Sequence, residues 1–160
     1  MLNLNELLIS ASRQGETEVV QELIANNADV NFFDEKGYTP LIIAAYNNHL
    51  ETARLLLESG AHVDAQDFGG NTALMGASFK GYPDIAELLL SYNANINLQH
   101  GNGGSAIMFA AMFGRNELVK LLLRYNADIQ LVDVRGLSVF DLAAQQGNEE
   151  ALSLLQEYIV

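Results

Sequence analysis

Residues 37–64 have the sequence GYTPLIIAAYNNHLETARLLLESGAHVD, which contains the signals of a two-helix unit. Thr39, followed by a proline, is typical of a helix start, because its hydroxyl can cap free backbone N–H groups and proline suits the first helical position. Gly60 tolerates the left-handed backbone conformation that ends many helices. The pattern predicts a first helix over 39–47 and a second helix over 50–59.

The same signals recur every 33 residues along the chain. Glycine occupies one set of turn positions, and glycine or asparagine occupies two sets of predicted helix ends. The three sets are Gly37, Gly70, Gly103 and Gly136; Gly15, Asn48, Gly81, Gly114 and Gly147; and Asn27, Gly60, Asn93 and Asn126. Three sets with one period predict a repeat protein. We expect one domain over 1–160, with repeats 1–33, 34–66, 67–99, 100–132 and 133–160.

Each of the last four repeats is predicted to begin its first helix at a capping hydroxyl. The residues in this register are Thr39, Thr72, Ser105 and Ser138. Their side chains are expected to accept a hydrogen bond from an N–H group inside the helix. A helix pair of this size cannot bury its apolar face alone, so the repeats must stack on one another. The sequence therefore predicts an all-α solenoid of helix-turn-helix units.

The first and last repeats carry polar residues at positions that are hydroxyl caps or apolar elsewhere. Glu6 occupies the capping register of the first repeat, and Ser10 and Glu22 occupy two of its stacking positions. Gln156 occupies a leucine position in the last repeat. Polar residues at these positions suit an exposed outer face. We therefore expect five repeats including two capping repeats, and a protein that is complete in itself.

The repeats resemble those of the ankyrin repeat family. The matching segments are Thr39-Pro40-Leu41-Ile42, Thr72-Ala73-Leu74-Met75, Ser105-Ala106-Ile107-Met108 and Ser138-Val139-Phe140-Asp141, with Asn27-Ala28-Asp29-Val30-Asn31 and Gly60-Ala61-His62-Val63-Asp64 at the ends of units. The histidine of the family motif is absent, which removes a hydrogen-bonding group. The resemblance implies an ankyrin-repeat solenoid whose helix pairs are joined by β-turn or hairpin loops. The runs 71–75 and 108–115 resemble bacterial members.

The composition argues against several classes of protein. The formal net charge is −12, whereas affinity for nucleic acid comes mostly from clustered Lys and Arg. The chain has no cysteine, which excludes disulfides and thiolate metal sites. No apolar run is long enough for a membrane span, and the N-terminal segment lacks the positive charge of a signal peptide. We expect a cytoplasmic protein that binds neither nucleic acid nor membrane.

No set of residues predicts catalysis, a cofactor or a metal site. His49, His62 and His100 stand in different registers without the paired spacing of metal ligands, so we interpret them as surface or helix-capping residues. Residues 101–104, Gly-Asn-Gly-Gly, lack the lysine of a phosphate loop, so we interpret them as a flexible turn. The sequence therefore predicts a protein that is not an enzyme.

The family resemblance implies that a partner meets the turn tips and the exposed side of the first helices, which together form a concave strip. Carried over by register, the candidate partner-binding residues are Arg13, Lys36, Tyr38, Tyr46, Phe68, Phe79, Lys80, Met112, Phe113, Arg135 and Leu137. An exposed apolar row of this kind usually marks an interaction site. The alternative interpretation is that Phe79, Met112 and Phe113 pack under the neighbouring turn as core.

We expect this protein to be a monomer that binds another protein on its concave face. Tyr46, Phe79, Met112 and Phe113 are the expected anchors, and the cations of the strip would orient a partner with acidic features. One alternative is an inhibitor, immunity or dedicated accessory protein, because some bacterial proteins of the resembled family are encoded beside toxins or catalases. The other is a structural protein that self-associates through the apolar strip.

Overall fold

The computed structural model describes residues 3–159, so the predicted domain limits at 1 and 160 lie outside the described residues. The first helices of the pairs are α1 (Leu4–Gln14), α3 (Pro40–Tyr46), α5 (Ala73–Lys80), α7 (Ala106–Met112) and α9 (Val139–Gln145). The second helices are α2 (Thr17–Ala25), α4 (Leu50–Glu58), α6 (Pro83–Ser91), α8 (Asn116–Arg124) and α10 (Glu149–Gln156). No strand forms within 3–159. The prediction of an all-α fold built from helix pairs is confirmed.

The first helices begin at capping side chains, as predicted, with one exception. The hydroxyls of Thr39, Thr72 and Ser138 each accept a hydrogen bond from the N–H three residues later, at 3.1, 3.1 and 3.3 Å. The prediction is wrong for Ser105, whose Oγ is buried and has no hydrogen-bond partner.

Two residues that replace the family histidine still take part in capping. Asp141 Oδ2 accepts a hydrogen bond from the backbone N–H of Ser138 at 2.9 Å. The sulfur of Met75 lies 3.4 Å from the backbone nitrogen of Thr72 and completes a weaker version of the same arrangement. The hydrogen bonding lost with the histidine is thus partly restored in the third and fifth repeats.

Helix α1 begins earlier than its register predicts. The register places the N-cap at Glu6, but α1 begins at Leu4 and its N-cap is Asn3. Asn3 Oδ1 accepts a hydrogen bond from the Glu6 N–H at 2.8 Å. Asparagine is among the strongest N-cap residues, so the earlier start follows from side-chain chemistry that overrides the repeat spacing.

The second helices of the first four repeats end where the glycine and asparagine spacing predicts. Asn27, Asn93 and Asn126 have φ values of 73°, 64° and 64°, and Gly60 has a φ of 98°. This left-handed conformation is accessible mainly to glycine and asparagine, which explains why other residue types do not occupy the register. The prediction of these helix ends is confirmed.

The repeats stack so that first helices pack on first helices and second helices on second helices. One continuous apolar cluster runs through the helix pairs. Ala44 and Ala110 are fully buried in the first-helix layer, where small side chains let neighbouring helices approach closely. Ser10, Glu22 and Gln156 are exposed, in agreement with their predicted place on the outer faces of the terminal repeats.

The turns before the first helices of the last four repeats form a second layer along one side of the stack. We call them fingers, and they comprise residues 34–38, 67–71, 100–104 and 133–137. Each of the last three fingers donates one backbone hydrogen bond to the finger before it, from the N–H groups of Phe68, Gly101 and Val134, at 3.1, 2.9 and 3.0 Å. Backbone hydrogen bonds therefore join the four fingers to one another along the stack.

Candidate functional site

A groove of about 560 Å³ lies on the concave face at the second and third repeats. Its main lining residues are Tyr38, Ile42, Tyr46, Asn71, Met75 and Phe79, with Arg13 and Phe109 contributed by the flanking repeats. The groove brings together four of the residues predicted for partner binding, Arg13, Tyr38, Tyr46 and Phe79. Its surface combines apolar and aromatic side chains with a few polar groups, as is usual for binding clefts.

Three aromatic rings from successive repeats form a row, and two of them, those of Tyr46 and Phe79, line the groove. The Tyr46 and Phe79 rings are nearly parallel, with an interplanar angle of 12° and centroids 6.4 Å apart. The Phe113 ring meets Phe79 edge-on, at 67° and a centroid distance of 4.6 Å. Tyr46 and Phe113 are each 45% exposed, and Phe79 is half-buried. We call this set the aromatic row (Tyr46, Phe79 and Phe113).

The finger that borders the groove is held by a buried carboxylate. Asp67 Oδ1 accepts hydrogen bonds from the backbone N–H groups of Gly69, at 2.9 Å, and Asn71, at 2.8 Å. The Asn71 side-chain amide donates to Asp67 Oδ2 at 3.2 Å. The Asp67 carboxylate, which is one of the lining residues of the groove, is therefore held by hydrogen bonds within its own finger.

Arg135 is paired with Asp133 inside the last finger, and its side chain is 59% exposed. Its Nη2 lies 2.9 Å from Asp133 Oδ2, and its backbone N–H donates to Asp133 Oδ1 at 2.9 Å. The N–H of Leu137 is the main cause that lowers the pKa of Asp133, with Arg135 contributing and partial burial opposing. The geometry gives Arg135 a role in the stability of the finger.

The other three predicted cations keep their charges on the concave side. Lys80 Nζ lies 5.0 Å from the centroid of the Tyr46 ring, and Lys36 Nζ lies 6.0 Å from that of Tyr38. Arg13 lines the groove at its first-repeat end. Among residues 3–159, ion pairs form at Arg54 and Arg135 alone, so these three cations have no carboxylate partner within the described chain.

The predicted strip is less exposed than the sequence suggests. Tyr38, Met112 and Leu137 are half-buried and pack against the core, because neighbouring repeats cover them. Met112 therefore fits the interpretation as a core residue better than the interpretation as an exposed anchor. Phe113, in contrast, is not core. Phe68 is 70% exposed at a finger tip, where its ring meets Phe33 edge-on at a centroid distance of 5.9 Å.

Phe109 lines the groove and His100 packs against it, and the sequence did not predict either position. His100 occupies the finger position held by aspartate in the neighbouring fingers, and its Nδ1 accepts a hydrogen bond from Asn102 N–H at 3.3 Å. Its ring stacks on Phe109, which lines the groove. Burial lowers the pKa of His100, while the charge of Asp67 opposes the shift. The 33-residue spacing from Asp67 to His100 was the signal that could have placed it.

An arginine and a histidine side chain each contact a backbone carbonyl oxygen at the C-terminal end of a first helix. Arg115 Nε donates to the carbonyl oxygen of Phe79 at 3.0 Å, at the C-terminal end of α5. His49 Nε2 lies 2.9 Å from the carbonyl oxygen of Arg13, at the C-terminal end of α1. The contact of His49 agrees with its interpretation as a helix-capping residue. In both cases a side chain of the next repeat contacts the backbone, at Phe79 and at Arg13.

Comparison with known proteins gives one family. A family model described as ankyrin repeats (3 copies) matches residues 7–100 and residues 74–159. No curated protein matches the chain. Within residues 3–159, no helix is long and apolar enough to cross a membrane, and no cluster of three or more histidine or carboxylate side chains is arranged to hold a metal ion.

Proposed function

Because the chain belongs to the ankyrin repeat family, we propose that it is a non-catalytic module that binds another protein on its concave face. Ankyrin repeats generally mediate protein–protein interactions. In this proposal the partner lies in the groove and covers the aromatic row. A bacterial origin and a cytoplasmic location stay predictions of the sequence.

The observation that carries the proposal is the exposure of the aromatic row beside a preformed groove. Tyr46 and Phe113 are each 45% exposed, although both contact or neighbour other aromatic residues. Covering the exposed part of such a ring recovers on the order of 1–2 kcal/mol of hydrophobic free energy. Aromatic residues of this kind supply a large share of the affinity in many protein interfaces.

The rigidity of the concave face also favours binding. The fingers are joined to one another by backbone hydrogen bonds, and the Asp67 carboxylate accepts backbone hydrogen bonds within the finger 67–71. A surface that is already ordered loses little conformational entropy when a partner binds. The hydrophobic free energy gained by covering the aromatic row is therefore offset only slightly by the ordering of the concave face.

The experiment that tests the proposal is affinity capture from an extract of the native cells with three forms of the chain. The first is wild type, and the second is Tyr46→Ser/Phe113→Ser, which removes the exposed ends of the aromatic row. The third is Tyr92→Ser/Tyr125→Ser, a matched control at the C-caps of α6 and α8. These two tyrosines are 36% and 40% exposed, close to the exposure of the tested pair.

A protein retained by wild type and by the control, but not by the aromatic-row variant, would support the proposal. Equal retention by all three forms would move the site away from the concave face and overturn it. If the retained protein is an enzyme or a toxin, its activity with and without the chain distinguishes inhibition from simple attachment. Light scattering tests self-association, since a dimer that only the aromatic-row variant dissociates would indicate a structural role instead.

A further inference from the structure

We infer that the groove binds an acidic, extended segment in which an aromatic or aliphatic residue is flanked by carboxylates. The apolar residue would lie on Tyr46 and Phe79, and the carboxylates would pair with Lys80 and Arg13. This inference rests on the proposed function and names the chemistry of the partner at the same site.

The free charges at the groove are positive. Lys80 Nζ lies 5.0 Å from the centroid of the Tyr46 ring, and Arg13 lines the same groove. Neither has a carboxylate partner among the described residues, where ion pairs form at Arg54 and Arg135 alone. Two cations without a carboxylate partner, one over the ring of an exposed tyrosine and one in the lining of the same groove, form a site that is complementary to carboxylates.

The carboxylate among the lining residues of the groove is hydrogen-bonded within its own finger. Asp67 is the acidic residue among those lining the groove, and its carboxylate accepts hydrogen bonds from Gly69 N–H, Asn71 N–H and the Asn71 amide. Glu35 is exposed at the tip of the first finger and does not line the groove. Among the described residues Asp67 forms no ion pair with Lys80 or Arg13, so both cations are available to a partner carboxylate.

Much of the chain's acidity lies on the second helices, in another layer of the stack. At least one exposed carboxylate occupies the first turn of each second helix, and these residues are Glu18, Glu51, Asp84, Glu117, Glu149 and Glu150. Their charges are favourable where they stand, because the N-terminal end of a helix is electropositive. The net charge of −12 is thus unevenly distributed, and the groove departs from it in sign.

The position of Tyr46 links the apolar contact to both ion pairs. A side chain that covers Tyr46 displaces water from the ring, and its chain neighbours then lie beside Lys80 and Arg13. Ion pairs that form beside a newly covered apolar surface are screened less than fully exposed pairs. The arrangement therefore favours a segment that carries its apolar anchor and its carboxylates close together in sequence.

A selection from a random dodecapeptide library displayed on phage tests this inference. The chain is immobilised as wild type, as Arg13→Glu/Lys80→Glu, and as the control Lys120→Glu/Arg124→Glu, which makes the same change in net charge on the exposed face of α8. The aromatic-row variant Tyr46→Ser/Phe113→Ser is the fourth form. Enriched peptides are sequenced, synthesised and titrated against all four forms by fluorescence anisotropy.

We expect wild type and the α8 control to enrich peptides with acidic residues around an aromatic or aliphatic residue. Those peptides should bind Arg13→Glu/Lys80→Glu about tenfold or more weakly, because attraction is replaced by repulsion at two positions. Selection on that variant should lose the acidic bias. Peptides without an acidic bias that still depend on the aromatic row would overturn this inference and leave the proposed function standing. If the enriched peptides bind the aromatic-row variant as tightly as wild type, or if no peptide is enriched, the proposal that a linear segment binds in the groove is itself overturned.

Discussion

The imidazole of His100 lies against the ring of Phe109, with centroids 4.9 Å apart and an interplanar angle of 28°. The same imidazole replaces the aspartate of the neighbouring fingers as an acceptor of backbone hydrogen bonds, because its Nδ1 accepts a hydrogen bond from the Asn102 N–H. Phe109 in turn lines the groove. His100 therefore connects the hydrogen bonding of one finger to the wall of the proposed binding site, and it does so only while Nδ1 carries no proton.

Acidification should destabilise the chain through His100. Burial lowers the pKa of His100 below its ordinary value of 6.5, against the opposing charge of Asp67. The unfolded chain therefore binds a proton more readily, so the free energy of unfolding falls as the pH falls from about 6.5 toward the folded-state pKa. The variant His100→Asn keeps a side-chain acceptor that does not titrate. Urea unfolding of both forms at about pH 7.5 and pH 5.5 should show a smaller loss of stability in the variant; an equal loss would contradict the prediction.

The four equivalent capping positions should respond differently to the loss of a hydroxyl. Ser138→Ala should lower the free energy of unfolding by about 1 kcal/mol, because Ser138 Oγ accepts a hydrogen bond from the Asp141 N–H. Ser105→Ala should leave it unchanged within about 0.5 kcal/mol or raise it, since the buried Ser105 hydroxyl has no partner to lose. Thermal and urea unfolding of the two variants provide the comparison. A loss at Ser105 as large as at Ser138 would show that the hydroxyl is bonded in solution.

Two glycines with similar backbone conformations should differ in their tolerance of alanine. Gly70 has a φ of 90°, and a Cβ there would lie 2.9 Å from the backbone nitrogen of Gly101 in the next finger. Gly136 has a φ of 81°, and a Cβ there would meet open space. Both substitutions place alanine in the left-handed region at a cost of about 1–2 kcal/mol, but only Gly70→Ala also separates two fingers. We expect Gly70→Ala to be the more destabilising by at least about 1 kcal/mol in urea unfolding; equal effects would mean that the fingers adjust freely.

The helix ends were predictable because a left-handed backbone restricts the residue type. Asn93 and Gly60 mark their register by composition alone, so spacing was enough to locate the ends of the second helices. The start of α1 was not predictable from spacing, since Asn3 caps the helix better than the residue in register. Local side-chain chemistry therefore overrides the repeat spacing at the start of α1.

The candidate site was predictable in its location but only partly in its members. The register placed Tyr46 and Phe79 on the concave side, where the groove lies. The burial of Met112 depends on how closely the next repeat packs, and the pairing of Arg135 with Asp133 depends on side-chain rotamers. Neither quantity is encoded in the spacing of residues within one repeat, so a single sequence could not supply them.

The contact between Arg115 and the carbonyl oxygen of Phe79 should contribute measurably to stability. Arg115 Nε donates to this carbonyl at 3.0 Å, and it lies at the end of α5, where backbone carbonyls lack partners and a cation is favourable. Arg115→Met keeps much of the apolar stem but removes the donor, so the free energy of unfolding should fall by about 0.5–1.5 kcal/mol. Lys120→Met is the matched control, because Lys120 is an exposed cation of α8. Its stability should stay within about 0.5 kcal/mol of wild type. The chemical shifts of the Phe79 ring should move in Arg115→Met and not in the control, and identical spectra for the two variants would show that the arginine does not position the ring.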